Sequence, residues 1–204
     1  FKLKLNFFRG IIMEMHHKIY KLSFCFIFSL IIIQGIFAAP KVSERRQKLI
    51  TYSLSFVGTK YVYGGTDPET GFDCSGFIDY AIKNGAGIQL PRTANEIYNS
   101  SRVLKIDPKE KEPGDLMFFK NDPNSDRVTH IGLYCGVYRG PITEFNGKRV
   151  FVSAVSDGPK TGVQLTLISE RFWKNHFFGY GRILPRTKVQ AQNTKAQNAR
   201  LQKK

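Results

Sequence analysis

The chain has 204 residues, 42% of them apolar and 23% charged, which suits one globular domain with a real core and argues against an intrinsically disordered chain. Lysine and arginine outnumber aspartate and glutamate 31 to 16, a formal net charge of +15 that favours polyanionic surroundings. The three cysteines and four histidines provide no close ligand pair outside the N-terminal segment, which argues against a zinc-type site.

Residues 1–12 precede the first methionine and read as upstream sequence, with Met13 or Met15 as the start. The stretch from there to Pro40 has the pattern of a signal peptide: Lys18 and Lys21, an apolar run from Leu22 to Phe37, then the small residues Ala38-Ala39 before Pro40. Export is the expectation. The rival is an uncleaved anchor, because the run approaches the roughly 18 residues that a spanning helix needs. Cys25 follows the bulky Phe24 inside this run, which is unsuited to lipid attachment. Removing residues 1–38 takes away five Lys/Arg and one Glu and leaves 26 basic and 15 acidic side chains, a net +11. The expected organisation is a leader over 1–39, one domain over 40–185 and a tail over 186–204.

Within the domain, Leu49, Ile50, Tyr52, Leu54 and Phe56 recur at helical spacing and predict a leading helix from Val42 to Phe56. Gly58 and Gly64-Gly65 interrupt it. Asp73 is a good N-cap for a second helix, whose apolar face carries Cys74, Phe77, Ile78, Ala81 and Ile82 and which Asn84-Gly85 ends. Thr93 caps a short helix from Ala94 to Ser100. Strands are expected at Leu116–Phe119, after the turn Pro113-Gly114-Asp115, and at 129–138, 149–154 and 163–167. Helices first and antiparallel strands afterwards indicate an α+β domain. The late aromatics Phe172, Trp173, Phe177, Phe178 and Tyr180 read as core closure, and His176 as surface or core. The tail has six Lys/Arg, no acid and almost no large apolar residue, so it cannot build a core. It is either a plain solvated tail or a contact to anionic wall polymer or a membrane surface; nucleic acid is not expected for an exported chain.

The chemistry centres on Cys74 and His130. A free thiol has a pKa near 8.5, and the unpaired N–H groups of a helix's first turn favour the thiolate, as does a nearby imidazolium. At a helix start, Cys74 is therefore expected to ionise readily. On the strand, the pleat puts His130, Gly132 and Tyr134 on one face and Ile131, Leu133 and Cys135 on the other. Gly132 should leave room for a helix to dock beside His130. If Cys74 meets His130, Cys135 faces away, so catalysis and a Cys74–Cys135 disulfide compete. The bland alternatives are a buried core cysteine and a structural histidine.

Tyr61-Val62-Tyr63-Gly64-Gly65, Gly71-Phe72-Asp73-Cys74-Ser75-Gly76-Phe77, Leu90-Pro91-Arg92-Thr93, Pro113-Gly114-Asp115-Leu116-Met117-Phe118-Phe119 and His130-Ile131-Gly132-Leu133-Tyr134 together resemble the ordered motifs of the NlpC-type cell-wall cysteine peptidases. The resemblance runs from about Arg45 to Leu184. It implies a papain-like α+β fold with the nucleophile helix on an antiparallel sheet, and an endopeptidase that cuts peptidoglycan stem peptides, typically between D-glutamate and the diamino acid. By the same resemblance Cys74 is the nucleophile and His130 the general base. Tyr61 lies near the thiol, Asp73 and Ser75 hold the substrate's amino end, and Arg92 belongs to the same substrate-binding set. No cofactor is implied.

One position departs from the family pattern. A third polar residue, commonly His, orients the base there within a phrase like Phe-Ile-His-Ala; here the phrase is Phe151-Val152-Ser153-Ala154, delayed by an insertion around Arg139 to Lys148. Ser153 should accept from Nδ1 of His130 and leave Nε2 for Cys74, but it offers the imidazolium no charge. If Ser153 does not serve, Ser156 and Asp157 are next. The alternative to an active peptidase is thus a weak or inactive wall-binding module of the same fold.

Overall fold

The computed structural model describes residues 43–184 except Pro123 and Pro159. The leader and tail expectations, and Val42 of the leading helix, lie outside the described residues. Helix α1 spans Glu44–Leu54, with the Ser43 hydroxyl accepting from the Arg46 N–H, and it buries Leu49 and Ile50. A two-residue ladder, β1 (Thr66–Asp67) with β2 (Gly71–Phe72), was not expected; strands so short carry no periodicity. Helix α2 covers Cys74–Ala86, and the Asp73 side chain accepts from Gly76 N–H. It runs past Asn84-Gly85 to Gly87, whose φ of 69° makes the left-handed cap. Gly85 serves packing instead: a Cβ there would lie 3.1 Å from Leu49 Cδ1, where α1 and α2 cross. Helix α3 is Ala94–Asn99, closed by a capping box between Thr93 and Glu96.

The sheet has six antiparallel strands: β3 (Leu104–Ile106), β4 (Leu116–Phe119), β5 (His130–Val137), β6 (Arg149–Val155), β7 (Gly162–Leu167) and β8 (Phe177–Arg182), in spatial order β3-β8-β4-β5-β6-β7. The α+β expectation, a helix packed on an antiparallel sheet, agrees with this architecture. A short helix, α4 (Arg171–His176), separates β7 from β8. The insertion is the β5–β6 hairpin tip, with a 3₁₀ turn at Thr143–Phe145; it closes on itself through Tyr138 N–H to Lys148 O at 2.8 Å and lies at the opposite end of β5 from His130.

The two faces of the sheet bury different clusters. Phe77, Ile78, Ala81 and Ile82 of α2 pack on Leu116, Phe118, Ile131, Leu133, Val150, Val152 and Ala154. Met117, Phe119, Tyr134, Phe151 and Tyr180 form the other layer, with Trp173 and Phe177 against it. Helix α2 therefore docks on the Ile131 and Leu133 face, not on the His130 face. The space at Gly132 is taken by a ring: a Cβ there would fall 2.7 Å from Phe151 Cδ2. Cys135 packs toward the α2 layer, and both it and Cys74 are free thiols, so the disulfide alternative falls.

A buried ionic cluster ties the chain ends of the domain together. Asp115, at the Pro113-Gly114-Asp115 turn, accepts from Arg46 Nη1 at 3.0 Å and from Arg182 Nε and Nη2 at 2.9 and 2.7 Å, while Glu112 lies 3.5 Å from Arg46 and 3.4 Å from Arg182. These four charges of both signs, all under 5% exposed, compensate one another.

Candidate active site

Cys74 opens α2 because Asp73 caps it, and the cap is itself held firmly. Asp73 Oδ1 accepts from Gly76 N–H (2.7 Å), Ser75 Oγ (3.1 Å) and Arg92 Nη1 (3.1 Å); Oδ2 accepts from Arg92 Nη2 (2.6 Å) and Gly64 N–H (3.1 Å). Burial pushes this carboxyl up, but the Arg92 fork and the N–H donors outweigh it and hold it below the usual carboxylate range. Gly76 is required where it stands, since a Cβ would meet the Gly65 carbonyl oxygen at 2.1 Å. Asp73, Ser75 and Arg92 are thus one rigid polar wall beside the thiol. Five internal donors engage the carboxylate, so an incoming ammonium group has to share it with Arg92.

The sulfur rests against the backbone on either side of His130. Cys74 Sγ is 4.0 Å from the Thr129 carbonyl oxygen, and the N–H groups of Ile131, Ser75 and Cys74 itself point at it. These donors favour the thiolate, as expected for a helix start, yet desolvation first and the Asp73 charge second exceed them, and the thiol's pKa is raised. The expectation of ready ionisation is therefore corrected: the helix start helps, but the site is desolvated and faces a carboxylate. Cys135 is further from ionising, pushed up to about 12 by burial.

His130 begins β5, paired with Phe119 of β4. Its ring lies between Phe119, with centroids 5.7 Å apart, and Trp173 of α4, 4.8 Å apart and tilted by 36°. Burial lowers its pKa to about 4. At neutral pH the resting pair is a neutral thiol and a neutral imidazole.

Ser153 shares this face of the sheet. The β5–β6 register pairs Tyr134 with Phe151, and two residues on, Ser153 falls opposite Gly132, one pleat from His130. The expected hydrogen bond is not formed: Ser153 Oγ and His130 Nε2 are both buried without a partner. The nitrogen left without a partner is Nε2. The reserve candidates point elsewhere, because Ser156 gives its hydrogen bond to Tyr61 and Asp157 Oδ1 accepts from Gly158 N–H at 2.9 Å.

Tyr61 bridges to Phe72 close to Cys74; desolvation raises its pKa, and the nearby Cys74 adds to the shift. Thr129, Phe119 and Trp173 are neighbours of the site to which sequence reading gives no role there, although Phe119 ends the Pro113–Phe119 motif and Phe172-Trp173 resembles the family's closing segment. Trp173 carries a signal of its own, as the single tryptophan of the chain in a late aromatic cluster, but only the return of α4 onto the sheet brings it to His130.

Known proteins resemble this chain in sequence and fold. Residues 58–182 match the model of the NlpC/P60 family. Murein DD-endopeptidase MepH of Escherichia coli (strain K12) is 35% identical over 150 residues, which are 72% of this chain and 49% of that protein. The bifunctional muramidase/DL-endopeptidase CwlT of Bacillus subtilis (strain 168) is 38% identical over 131 residues, 64% of this chain and 34% of that protein. Among solved structures, an NLP/P60 family protein of Staphylococcus aureus subsp. aureus Mu50, described as similar to lipoprotein, superposes with a TM-score of 0.54 at 31% identity, covering 72% of this chain and 44% of that one. The chain spans about half, or less, of the length of each.

Proposed function

Because this chain belongs to the NlpC/P60 family, we propose that it is an exported cysteine endopeptidase that hydrolyses peptidoglycan stem peptides, at the bond between D-glutamate and the diamino acid. The observation that carries the reading is the seat of the Cys74 sulfur at the start of α2, against the Thr129 and Ile131 backbone that flanks His130. The substrate class rests on the relatives, whose names specify murein DD-endopeptidase and DL-endopeptidase activities.

In this mechanism Cys74 Sγ attacks the scissile carbonyl carbon while its proton passes to His130. With Nε2 on the buried side, Nδ1 is the nitrogen left for the thiol. The backbone N–H groups at the α2 start stabilise the oxyanion. The imidazolium then protonates the departing amine, and a water, activated by the neutral imidazole, releases the acyl group from sulfur. Tyr61 and the Asp73, Ser75 and Arg92 wall frame the amino-terminal side of the stem peptide, and Ser153 fills the third position as a neutral neighbour. The apolar segment at 22–37 directs export, and the basic tail adds attraction to anionic wall polymer, screened over a Debye length of about 8 Å.

The test is mass spectrometry of defined muropeptides incubated with the full chain. Cleavage after D-glutamate, abolished by Cys74→Ala and by His130→Gln in folded protein, is the expected result. Losses of about 10³-fold or more are typical of such a unit. Binding of muropeptides without turnover would overturn the reading in favour of a wall-binding module, and cleavage at a D,D-crosslink would correct the bond.

A further inference from the structure

His130 lacks the polar partner that would ordinarily orient a catalytic imidazole: its buried Nε2 has no hydrogen bond, and neither has the adjacent Ser153 hydroxyl. A ring on the first residue of a strand has two free torsions, and something other than a hydrogen bond must fix them. The aromatic contacts supply that constraint. The indole of Trp173 lies 4.8 Å from the imidazole at 36°, and makes edge contacts to Phe119 at 5.0 Å and Phe151 at 5.3 Å, the two rings that floor the same pocket. Trp173 is thereby held on three sides. Helix α4 buries no residue fully, has no side-chain cap and exposes Phe172 by 55%, so Trp173 is its principal anchor to the sheet.

We propose that Trp173 is the positioning residue for His130: its indole, laid across the imidazole and wedged against Phe119 and Phe151, holds the ring in its working orientation and keeps water from Nε2. Steric and dispersion contacts take over the task that a hydrogen-bonding third residue performs elsewhere, and no charge is needed at position 153. The proposal rests on His130 being the base of the reaction under "Proposed function".

The groups around the imidazole allow the assignment to be read by titration. Cys74 of α2 meets the backbone beside it; Ser153 of β6 is neutral. Lys120, next to Phe119, turns to the Phe178 ring (3.7 Å) and toward Asp126 (3.9 Å). On α4, His176 Nδ1 pairs with the Phe172 carbonyl, and Lys174 and Arg171 are exposed. Among the described residues no charged side chain holds His130; burial alone sets its protonation.

The experiment compares the full chain with Trp173→Ala and Trp173→Phe, following histidine resonances by NMR against pH, with His130 assigned from His130→Gln, and measuring kcat and KM on one muropeptide. In the unsubstituted chain His130 should titrate near its buried value of about 4. Trp173→Ala should move the midpoint up toward 6.5, and lower kcat about tenfold or more with KM changed by no more than about threefold, as expected for a misplaced base. Trp173→Phe should recover at least half of both effects. A folded Trp173→Ala variant whose His130 midpoint and kcat are unchanged would overturn the proposal, and so would a fall in kcat without movement of the midpoint, which a purely structural role predicts. If the alanine variant does not fold, the phenylalanine variant decides: an unchanged midpoint rejects the assignment, an intermediate one supports it. If no muropeptide is cleaved by the unsubstituted chain, the hydrolase reading fails while the NMR midpoint still decides the role of Trp173.

Discussion

At pH 6.5 a free imidazole is half protonated, but burial beside Phe119 and Trp173 desolvates the His130 cation and keeps the ring neutral there. The unfolded chain therefore binds a proton between pH 6.5 and about 4 that the folded chain does not, and folding stability falls as pH drops through that window. Thermal unfolding of the unsubstituted chain should lose Tm over this range, and His130→Gln should lessen the slope. Asp73 acts in the same direction at lower pH, since its depressed carboxyl contributes stability that is lost only as pH falls below the usual carboxylate range. Arg92 matters to the thiol as well as to Asp73. Arg92→Ala should leave the Asp73 charge unscreened beside Cys74, raise the thiol pKa further and slow its alkylation by iodoacetamide several-fold; an unchanged rate would show that Arg92 does not tune the nucleophile. Ser153→Ala removes a buried hydroxyl that bonds nothing, so kcat/KM should change less than about threefold and stability should hold or rise by about 1 kcal/mol. Cys74 and His130 are legible in the sequence because their local motifs fix them at a helix start and a strand start. The raised thiol pKa is not, since its first cause is the burial of the sulfur by segments distant in sequence, which outweighs the helix start; only the adjacent Asp73 charge could be read locally.

The first turn of helix α2 carries Cys74, and its placement depends on two glycines meeting. Gly76 N–H reaches Asp73 while the Gly65 carbonyl comes so close that any Cβ on Gly76 would overlap it at 2.1 Å. Gly76→Ala should lift the helix start off the Gly64-Gly65 loop, break the cap and destabilise the fold by about 2 kcal/mol or more, read as a lower urea midpoint. A variant as stable as the parent would mean that the loop, not the helix, yields. Caps and apolar spacing make α2 and α3 readable from sequence, Gly87 excepted, because Asn84-Gly85 is an equally good local stop and only the crossing with α1 reassigns it. The docking face is misleading for a similar reason: Gly132 signals close approach, but whether of a helix or of the Phe151 ring is decided across the sheet. β3 escapes sequence reading because three residues are too few to carry a periodicity, and β8 because Gly179 and Gly181 interrupt its aromatic run.

Across the whole domain, Arg46 near the start, Glu112 and Asp115 in the middle and Arg182 near the end form one buried ionic knot that ties α1, the turn before β4 and β8. A motif-level reading of Pro113-Gly114-Asp115 gives a turn, and nothing in that tripeptide announces two arginines from distant segments. Asp115→Asn should leave both guanidinium groups short of countercharge and cost about 3–5 kcal/mol, seen as a large drop in Tm with the Cys74 environment otherwise intact.

The β5–β6 hairpin tip has a practical consequence. It is sealed by its own backbone bonds at Tyr138, Gly147 and Lys148, its residues from Pro141 to Glu144 are exposed, and the length of β5 sets it about 23 Å from His130 at roughly 3.3 Å per residue. That makes it a handle: a fluorophore or affinity peptide grafted between Pro141 and Glu144 would report the position of the molecule without touching the surroundings of Cys74 and His130.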